Sequence, residues 1–222
     1  MEKSVKRRIL HFFFPNRCPV CGKVIYANDS FCEECAAKLK PFTENFIIDG
    51  ADGFTAVFEY EDEIKPSVIL MKNGILGNSS YALGKALGEK LKANGTAEKL
   101  DMIIPVPMFS KDERERGYNQ SVIICREIAD VIGKTVRTDI IIKAQRTAHQ
   151  KNLSRTERQQ NLKGVFTVVD PEAVKGRNIL IADDVCTTGS TLAELTKILI
   201  EAGAEKVYCA SCCKTTKETS KK

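Results

Sequence analysis

Apolar and polar positions change period several times along this chain, and each change marks an element. From Thr55 to Tyr60 a short run rich in β-branched and aromatic residues reads as a strand. Apolar residues then recur at helical spacing, first Ile64, Val68, Ile69 and Met71, then Leu83, Ala86, Leu87 and Leu91. Asn73-Gly74 and Gly77-Asn78 interrupt them, so this region predicts one strand and two helices. Beyond it the period alternates: strand Met102 to Val106, helix Gln120 to Ile132, strand Val136 to Ile142, a long polar loop, strands Gly164 to Val169 and Asn178 to Ala182, helix Thr191 to Ala202, and strand Lys206 to Ser211. Strands alternating with helices predict an α/β fold with a parallel sheet flanked by helices on both faces. No internal repeat is visible. The polar, basic end from Lys214 to Lys222 is expected to fray.

Upstream, Asn16 to Leu39 is rich in cysteine with only short apolar pieces, and Pro41 and Asp49 to Gly53 read as turns and linker. The division expected is a small module over residues 1–45 and a larger domain over 46–222, in which 46–100 leads into a core at 101–213. A length of 222 residues accommodates both. With 43% hydrophobic and 28% charged residues the composition is that of a globular protein, which argues against disorder or a fibre. The apolar run Ile9 to Phe14 behind Lys6-Arg7-Arg8 is too short for a signal peptide and is closed by Pro15 and Arg17. Nothing approaches the roughly 18 apolar residues of a membrane span, so a cytoplasmic protein is expected. The net charge of +5 is modest but uneven: Lys143 to Lys163 carries six basic residues against the single acid Glu157, a segment suited to meeting phosphate.

In a reducing compartment nine cysteines read as metal ligands or buried thiols before disulfides. Cys18-Pro19-Val20-Cys21 and Cys32-Glu33-Glu34-Cys35 are two C-x2-C pairs ten residues apart, with Gly22 after the first. Two such turns aim four thiolates at one point and complete a closed tetrahedral Zn2+ site with no position for water, so the metal is expected to be structural. So short a segment has little core of its own, and metal binding there is folding energy. The competing reading, a redox pair, needs only one C-x2-C at a helix N-terminus. Cys125, Cys186, Cys209, Cys212 and Cys213 are expected to be buried or half-buried thiols, with metal binding or oxidation of the last three as the alternative.

The stretch from Asn178 to Thr191 is the most informative. Four apolar residues make a buried strand, Asp183-Asp184 follows at its C-terminal end, and Thr187-Thr188-Gly189-Ser190-Thr191 turns into a helix. Open α/β sheets bind ligands at that end. Backbone N–H groups, small hydroxyls, a glycine and a helix N-terminus are what a phosphomonoester needs. Two carboxylates suit a polyol and a divalent cation such as Mg2+ instead. Together they describe a pocket for ribose 5-phosphate. An N-capped helix behind an ordinary strand accounts for Ser190 or Thr191 but leaves the acids unexplained.

This stretch closely resembles the signature of type I phosphoribosyltransferases, enzymes that use phosphoribosyl diphosphate (PRPP) with Mg2+. The resemblance implies that Asp183 and Asp184 meet the ribose 2- and 3-hydroxyls and that Thr187 to Thr191 hold the 5-phosphate. In that fold the loop after the first core strand holds diphosphate, the place taken here by Asp101 to Pro107 and the charged segment through Arg114-Glu115-Arg116-Gly117-Tyr118-Asn119-Gln120. Arg116 is the candidate contact because a guanidinium fork matches phosphate oxygens, the alternative being a surface ion pair with Glu113 or Glu115. Lys72 is a second basic candidate. The polar loop from Arg146 to Leu162 is longer than an idle connection and suits a lid, with Arg155 and Arg158 reaching a leaving diphosphate; a solvated helix carrying both on its outer face is the other reading.

Taken in combination, the four-cysteine module behind Phe14-Pro15, the Pro105-Val106-Pro107 strand, Arg116 to Gln120, the Gln150 to Gly164 loop and the terminal signature resemble the ComF family of competence proteins over nearly the whole chain. Met108-Phe109-Ser110 departs from the histidine and proline that many members carry there. The resemblance implies a type I phosphoribosyltransferase-like domain behind a zinc-ribbon-like module, related to amidophosphoribosyltransferases and associated with incoming single-stranded DNA. Two functions follow: an enzyme that binds PRPP and Mg2+ and transfers phosphoribose to an acceptor the sequence does not reveal, or a protein that handles single-stranded DNA with a sensing or vestigial PRPP pocket. A third leaves the zinc module as a docking surface for a competence helicase or another DNA-uptake protein.

Overall fold

The computed structural model describes residue 13 and residues 15–73, 78–145 and 164–216. The loop candidates Arg155 and Arg158 lie outside the described residues. A short helix α1 (Glu33–Ala36) closes the cysteine-rich module. After it come β1 (Gly53–Glu59), α2 (Lys65–Lys72), α3 (Ser79–Ala93), a 3-10 turn (Ala97–Lys99), β2 (Met102–Pro105), α4 (Ser110–Arg116) and α5 (Gln120–Ile132). The chain continues through β3 (Thr135–Val136), β4 (Ile141–Lys143), β5 (Phe166–Val168), β6 (Asn178–Cys186), α6 (Ser190–Glu201) and β7 (Lys206–Lys214). Five strands form a parallel sheet in the order β1-β7-β6-β2-β3. The alternating pattern predicted this architecture.

Apolar side chains cover both faces of the sheet. On one, Leu83, Leu87 and Leu91 of α3 pack with Ile124, Ile128 and Ile132 of α5 over Ile103, Leu180 and Ala210. On the other, Leu192, Leu195 and Leu199 of α6 pack over Ile104, Ile179, Ile181 and Val207. Helices α3 and α5 approach closely because α3 carries glycines at the crossing: a Cβ on Gly84 would stand 2.7 Å from Glu127 Cβ and 2.8 Å from the Ile124 carbonyl oxygen. The central β6 and β7 are buried almost throughout, which is why they read as continuous apolar runs rather than alternations.

Four expectations change. The strand expected from Val136 to Ile142 is two strands, because Arg137 forks onto Asp139 (Nε to Oδ1, 2.8 Å) and Asp170 (Nη2 to Oδ2, 3.0 Å) and holds the chain in a turn between them. Its second half pairs antiparallel with β5, so the strand expected at Gly164 to Val169 belongs to a separate two-stranded hairpin. Helix α4 went unseen because none of its residues is buried, leaving no apolar period to detect. Strands β6 and β7 both run longer than expected: β6 extends through Asp183, Asp184 and Cys186, and β7 through Lys214, which is buried rather than frayed.

The cysteine-rich module packs against the sheet's β1 edge. Pro41 bridges Phe58 antiparallel, the Phe42 N–H donates to the Val57 carbonyl at 2.9 Å, and Phe31 meets Phe58 edge-on with ring centroids 5.7 Å apart. Lys90 of α3 donates to the carbonyls of Phe42 and Ala56 at 2.7 and 2.6 Å, tying the chain leaving the module to helix and strand at once.

Candidate functional site

Cys18, Cys21, Cys32 and Cys35 bring their sulfurs within 4.8 Å of one another. The Cys21 and Cys32 sulfurs stand 3.6 Å apart, close to the edge of about 3.8 Å that a tetrahedron with metal–sulfur bonds of about 2.3 Å requires. The first knuckle is a tight turn in which the Gly22 N–H donates to the Cys18 carbonyl at 2.8 Å, and Gly22 takes a φ of 76°. Burial opposes ionisation of Cys18, but the N–H groups of Cys32, Cys21 and Val20 outweigh it and bring the thiol down to about 7. Burial, followed by the Cys32, Cys21 and Cys18 thiols, pushes Cys35 up. Four thiolates cannot share this space without a cation, and the donor set, its closure and its spacing fit a structural zinc ion. The five remaining cysteines are all buried, as expected, and lie in the core of the larger domain.

At the C-terminal ends of β2 and β6 lies a cavity of about 260 Å3, lined by Val106, Pro107, Met108, Asn119, Gln120, Ser121, Lys143, Phe166, Asp183, Asp184 and Thr191. Asp183 Oδ1 accepts from Ser121 Oγ at 2.9 Å and from the Asp184 N–H at 2.8 Å. Burial first, and then the neighbouring Asp184 charge, push its carboxyl up to about 6. Asp184 Oδ1 accepts from the Val185 N–H at 2.6 Å, while Oδ2 faces the Lys72 ammonium at 3.1 Å. Burial disfavours that ammonium, yet Asp184 and Asp183 outweigh burial and raise the Lys72 pKa. The Tyr118 hydroxyl donates to the Met71 carbonyl and so holds the end of α2 from which Lys72 projects.

The turn from Thr187 to Thr191 adjoins the acids. Gly189 has a φ of 79°, and the Thr188 and Ser190 hydroxyls lie 2.9 Å apart. Helix α6 opens at Ser190, with the Ala193 N–H donating to the Gly189 carbonyl as its first turn, so the preceding N–H groups have no partner within the helix. A Cβ on Gly189 would stand 2.5 Å from Ile48 Cδ1 and 3.3 Å from Phe46, ends of side chains that can shift, so the φ of 79° is what favours glycine under this wall.

Asp183, Asp184 and Thr191 therefore converge on one cavity, Thr187 to Ser190 form the turn that leads into Thr191, and Lys72 reaches Asp184. Arg116 stands one residue away: its Nη1 donates to Gln120 Oε1 at 2.7 Å, and Gln120 lines the cavity. Sequence reasoning missed Ser121, Asn119 and Lys143. Asn119 was findable, since it directly precedes a predicted helix; its Oδ1 caps Ser121 at 3.0 Å and its Nδ2 donates to the Val106 carbonyl at 3.1 Å, tying the loop after β2 to α5. Lys143 opens the basic stretch but nothing in the pattern turned it inward. Burial lowers its pKa, and it shares both this cavity and an adjoining one of about 270 Å3.

The fold and these two sites define a phosphoribosyltransferase-domain protein with an N-terminal zinc ribbon. The phosphoribosyl transferase domain family matches residues 118–222, and the double zinc ribbon domain family matches residues 9–46. Among relatives, the DNA utilization protein YhgH of Salmonella typhimurium is 30% identical over 96% of this chain and 88% of its own length. Competence protein F of Haemophilus influenzae is 34% identical over 86% of this chain and 81% of its own. The amidophosphoribosyltransferase of Saccharomyces cerevisiae is 29% identical over 70% of this chain but only 28% of its own length. The chain belongs to the family of competence protein F and YhgH. Among the described residues no helix is long and apolar enough to cross a membrane.

Proposed function

We propose that the cavity binds PRPP with Mg2+ and that the protein transfers phosphoribose to an acceptor, in the service of DNA uptake or utilization in the cytoplasm. The observation that carries this reading is the convergence of a carboxylate pair and Thr191, the end of a glycine-hinged hydroxyl turn, on one cavity at the sheet's C-terminal edge. Asp183 and Asp184 would accept from the ribose hydroxyls and face the Mg2+ ion; the turn from Thr187 to Thr191 would take the 5-phosphate with its amide and hydroxyl donors. Lys72, Arg116, Arg155 and Arg158 are the cations for the diphosphate end. When bound, Mg2+ would offset the charge that develops on departing diphosphate. Within this chain Ser121 holds Asp183, and Asn119 holds the loop after β2, so both sides of the cavity are set before ligand arrives.

Calorimetric titration of PRPP with Mg2+ tests the reading in wild type and in Asp183→Asn/Asp184→Asn, with ribose 5-phosphate as control. Magnesium-dependent binding lost in the double variant is the expected result. Absence of binding by folded, zinc-loaded wild type removes the proposal.

A second reading rests on the zinc ribbon's surface. Tyr26 and Phe13 are 82% and 69% exposed on a module that also carries Arg17 and Lys23, an arrangement suited to stacking bases along a basic track. The names of the relatives favour DNA as the ligand. Anisotropy with labelled single strands should show affinity that falls steeply as salt rises, and salt-independent or absent binding removes this reading.

A further inference from the structure

One cation at the site has no place in the sequence pattern. Lys214 is the last residue of β7, and the parallel register sets it beside Cys186, the last residue of β6, just where the phosphate turn begins. Its side chain is buried, with 5% of the residue exposed. Its Nζ donates to the Thr187 carbonyl at 2.8 Å and to the Thr215 carbonyl at 2.6 Å, and it stands 4.0 Å from the centre of the Phe46 ring. Two carbonyls and an aromatic face use all three ammonium protons. Burial lowers the pKa of this group, so the fold spends stability to keep a lysine here.

We infer that Lys214 is the positioning residue of the phosphate turn: it fixes the Thr187–Thr188 peptide so that the turn presents its donors to a ribose 5-phosphate ester. The reason is peptide geometry. The peptide bonds are trans, and in a trans peptide the carbonyl and the following N–H point in opposite directions. With the Thr187 carbonyl held by the ammonium, the Thr188 N–H is turned away from β7. On the other flank the turn is held by Ile48 and Phe46 packed over Gly189, and Phe46 is the ring that Lys214 also faces. The cation thus stands behind the turn, adds positive potential where a dianion would bind, and makes no direct contact that an incoming phosphate would have to displace.

This inference rests on the proposed pocket, and its test separates the two. Ribose 5-phosphate and, separately, inorganic pyrophosphate with Mg2+ are titrated into zinc-loaded full-length wild type, Lys214→Met and Lys214→Arg, with urea unfolding of each. Methionine keeps the apolar stem and removes the charge. Lys214→Met should weaken ribose 5-phosphate about tenfold or more, the scale of one hydrogen bond to a charged group, while pyrophosphate affinity stays within about twofold. Lys214→Arg should recover part of the loss. A merely structural lysine would weaken both ligands in proportion to lost stability, and that result overturns the inference. So does unchanged ribose 5-phosphate affinity in a folded Lys214→Met. If wild type binds neither ligand, the pocket reading itself fails and this inference goes with it.

Discussion

Replacing Lys72 with methionine isolates the interaction that sets the charge balance of the cavity. Asp184 is 6% exposed in its side chain and Lys72 41%, so the pair is buried at the acid and open at the base. Asp184 Oδ1 keeps its bond from the Val185 N–H when Lys72 is cut back, but Oδ2 loses its cation and faces Asp183 one residue away. Removing one partner of a wholly buried pair costs about 3–5 kcal/mol, and an exposed pair is worth about 0–1; with water reaching the Lys72 end, a loss of about 1–3 kcal/mol is expected. Asp184→Asn removes the charge that needs compensating, so Lys72→Met/Asp184→Asn should lose less than the two single changes added together. Urea unfolding of the zinc-loaded protein at neutral pH, followed by circular dichroism, reads all four corners of the cycle. Stability of Lys72→Met within about 0.5 kcal/mol of wild type, or strict additivity, refutes the claim that this ammonium compensates the diacid.

Two further outcomes follow from the same geometry. Cys32→Ser should abolish bound zinc, measured by a colorimetric chelator after thiol modification, and should unfold the module, because its buried apolar cluster is little more than Cys18, Ile25 and Cys35; retained stoichiometric zinc contradicts the site. Asp183 makes stability and ligand binding respond to pH in opposite directions. Its native pKa, about 6, lies above the ordinary 3.8, so the native state binds the proton more tightly and stability falls as pH rises from about 4 through about 6. Mg2+-dependent PRPP affinity should instead climb up to about tenfold per unit below pH 6 and level off above it, in calorimetry across pH 5–8, and a flat profile in that window refutes the assignment.

The sequence carried the parallel sheet, the zinc ligands and the acidic and hydroxyl halves of the cavity, because each is written as a local pattern. A C-x2-C turn or a buried strand followed by acids and a glycine-hinged turn needs only neighbours in the chain to be recognised. What escaped depends on partners far away. Lys214 sits in a tail whose composition reads as frayed, and only the register of β7 against β6 shows that it is the end of a central strand. Ser121 looks like any residue of a helix's first turn until α5 is laid beside β6 and its hydroxyl meets Asp183. The division of Val136 to Ile142 was hidden for the same reason, since Asp170, one of the acids that fork Arg137, lies beyond the polar loop.

The segment between the zinc ribbon and the sheet carries the last of these long-range dependences. Its composition reads as turn and linker, and it forms no strand, yet it is pinned along its length. Lys40 pairs with Glu59 and Glu61 at 3.0 Å, Phe42 is zipped to β1, and Phe46 meets Phe54 edge-on at 5.4 Å. Ile48 is buried against Gly189, and Asp52 closes on β7 by accepting from the Val207 N–H at 2.9 Å. The residues that lead out of the metal module are therefore the same ones that wall the Thr187–Thr191 turn. Packed contacts run from the segment leaving the ribbon through Phe46 and Ile48 to Gly189 and Lys214, without passing through the carboxylates. The two sites are joined by side-chain packing, not only by the chain.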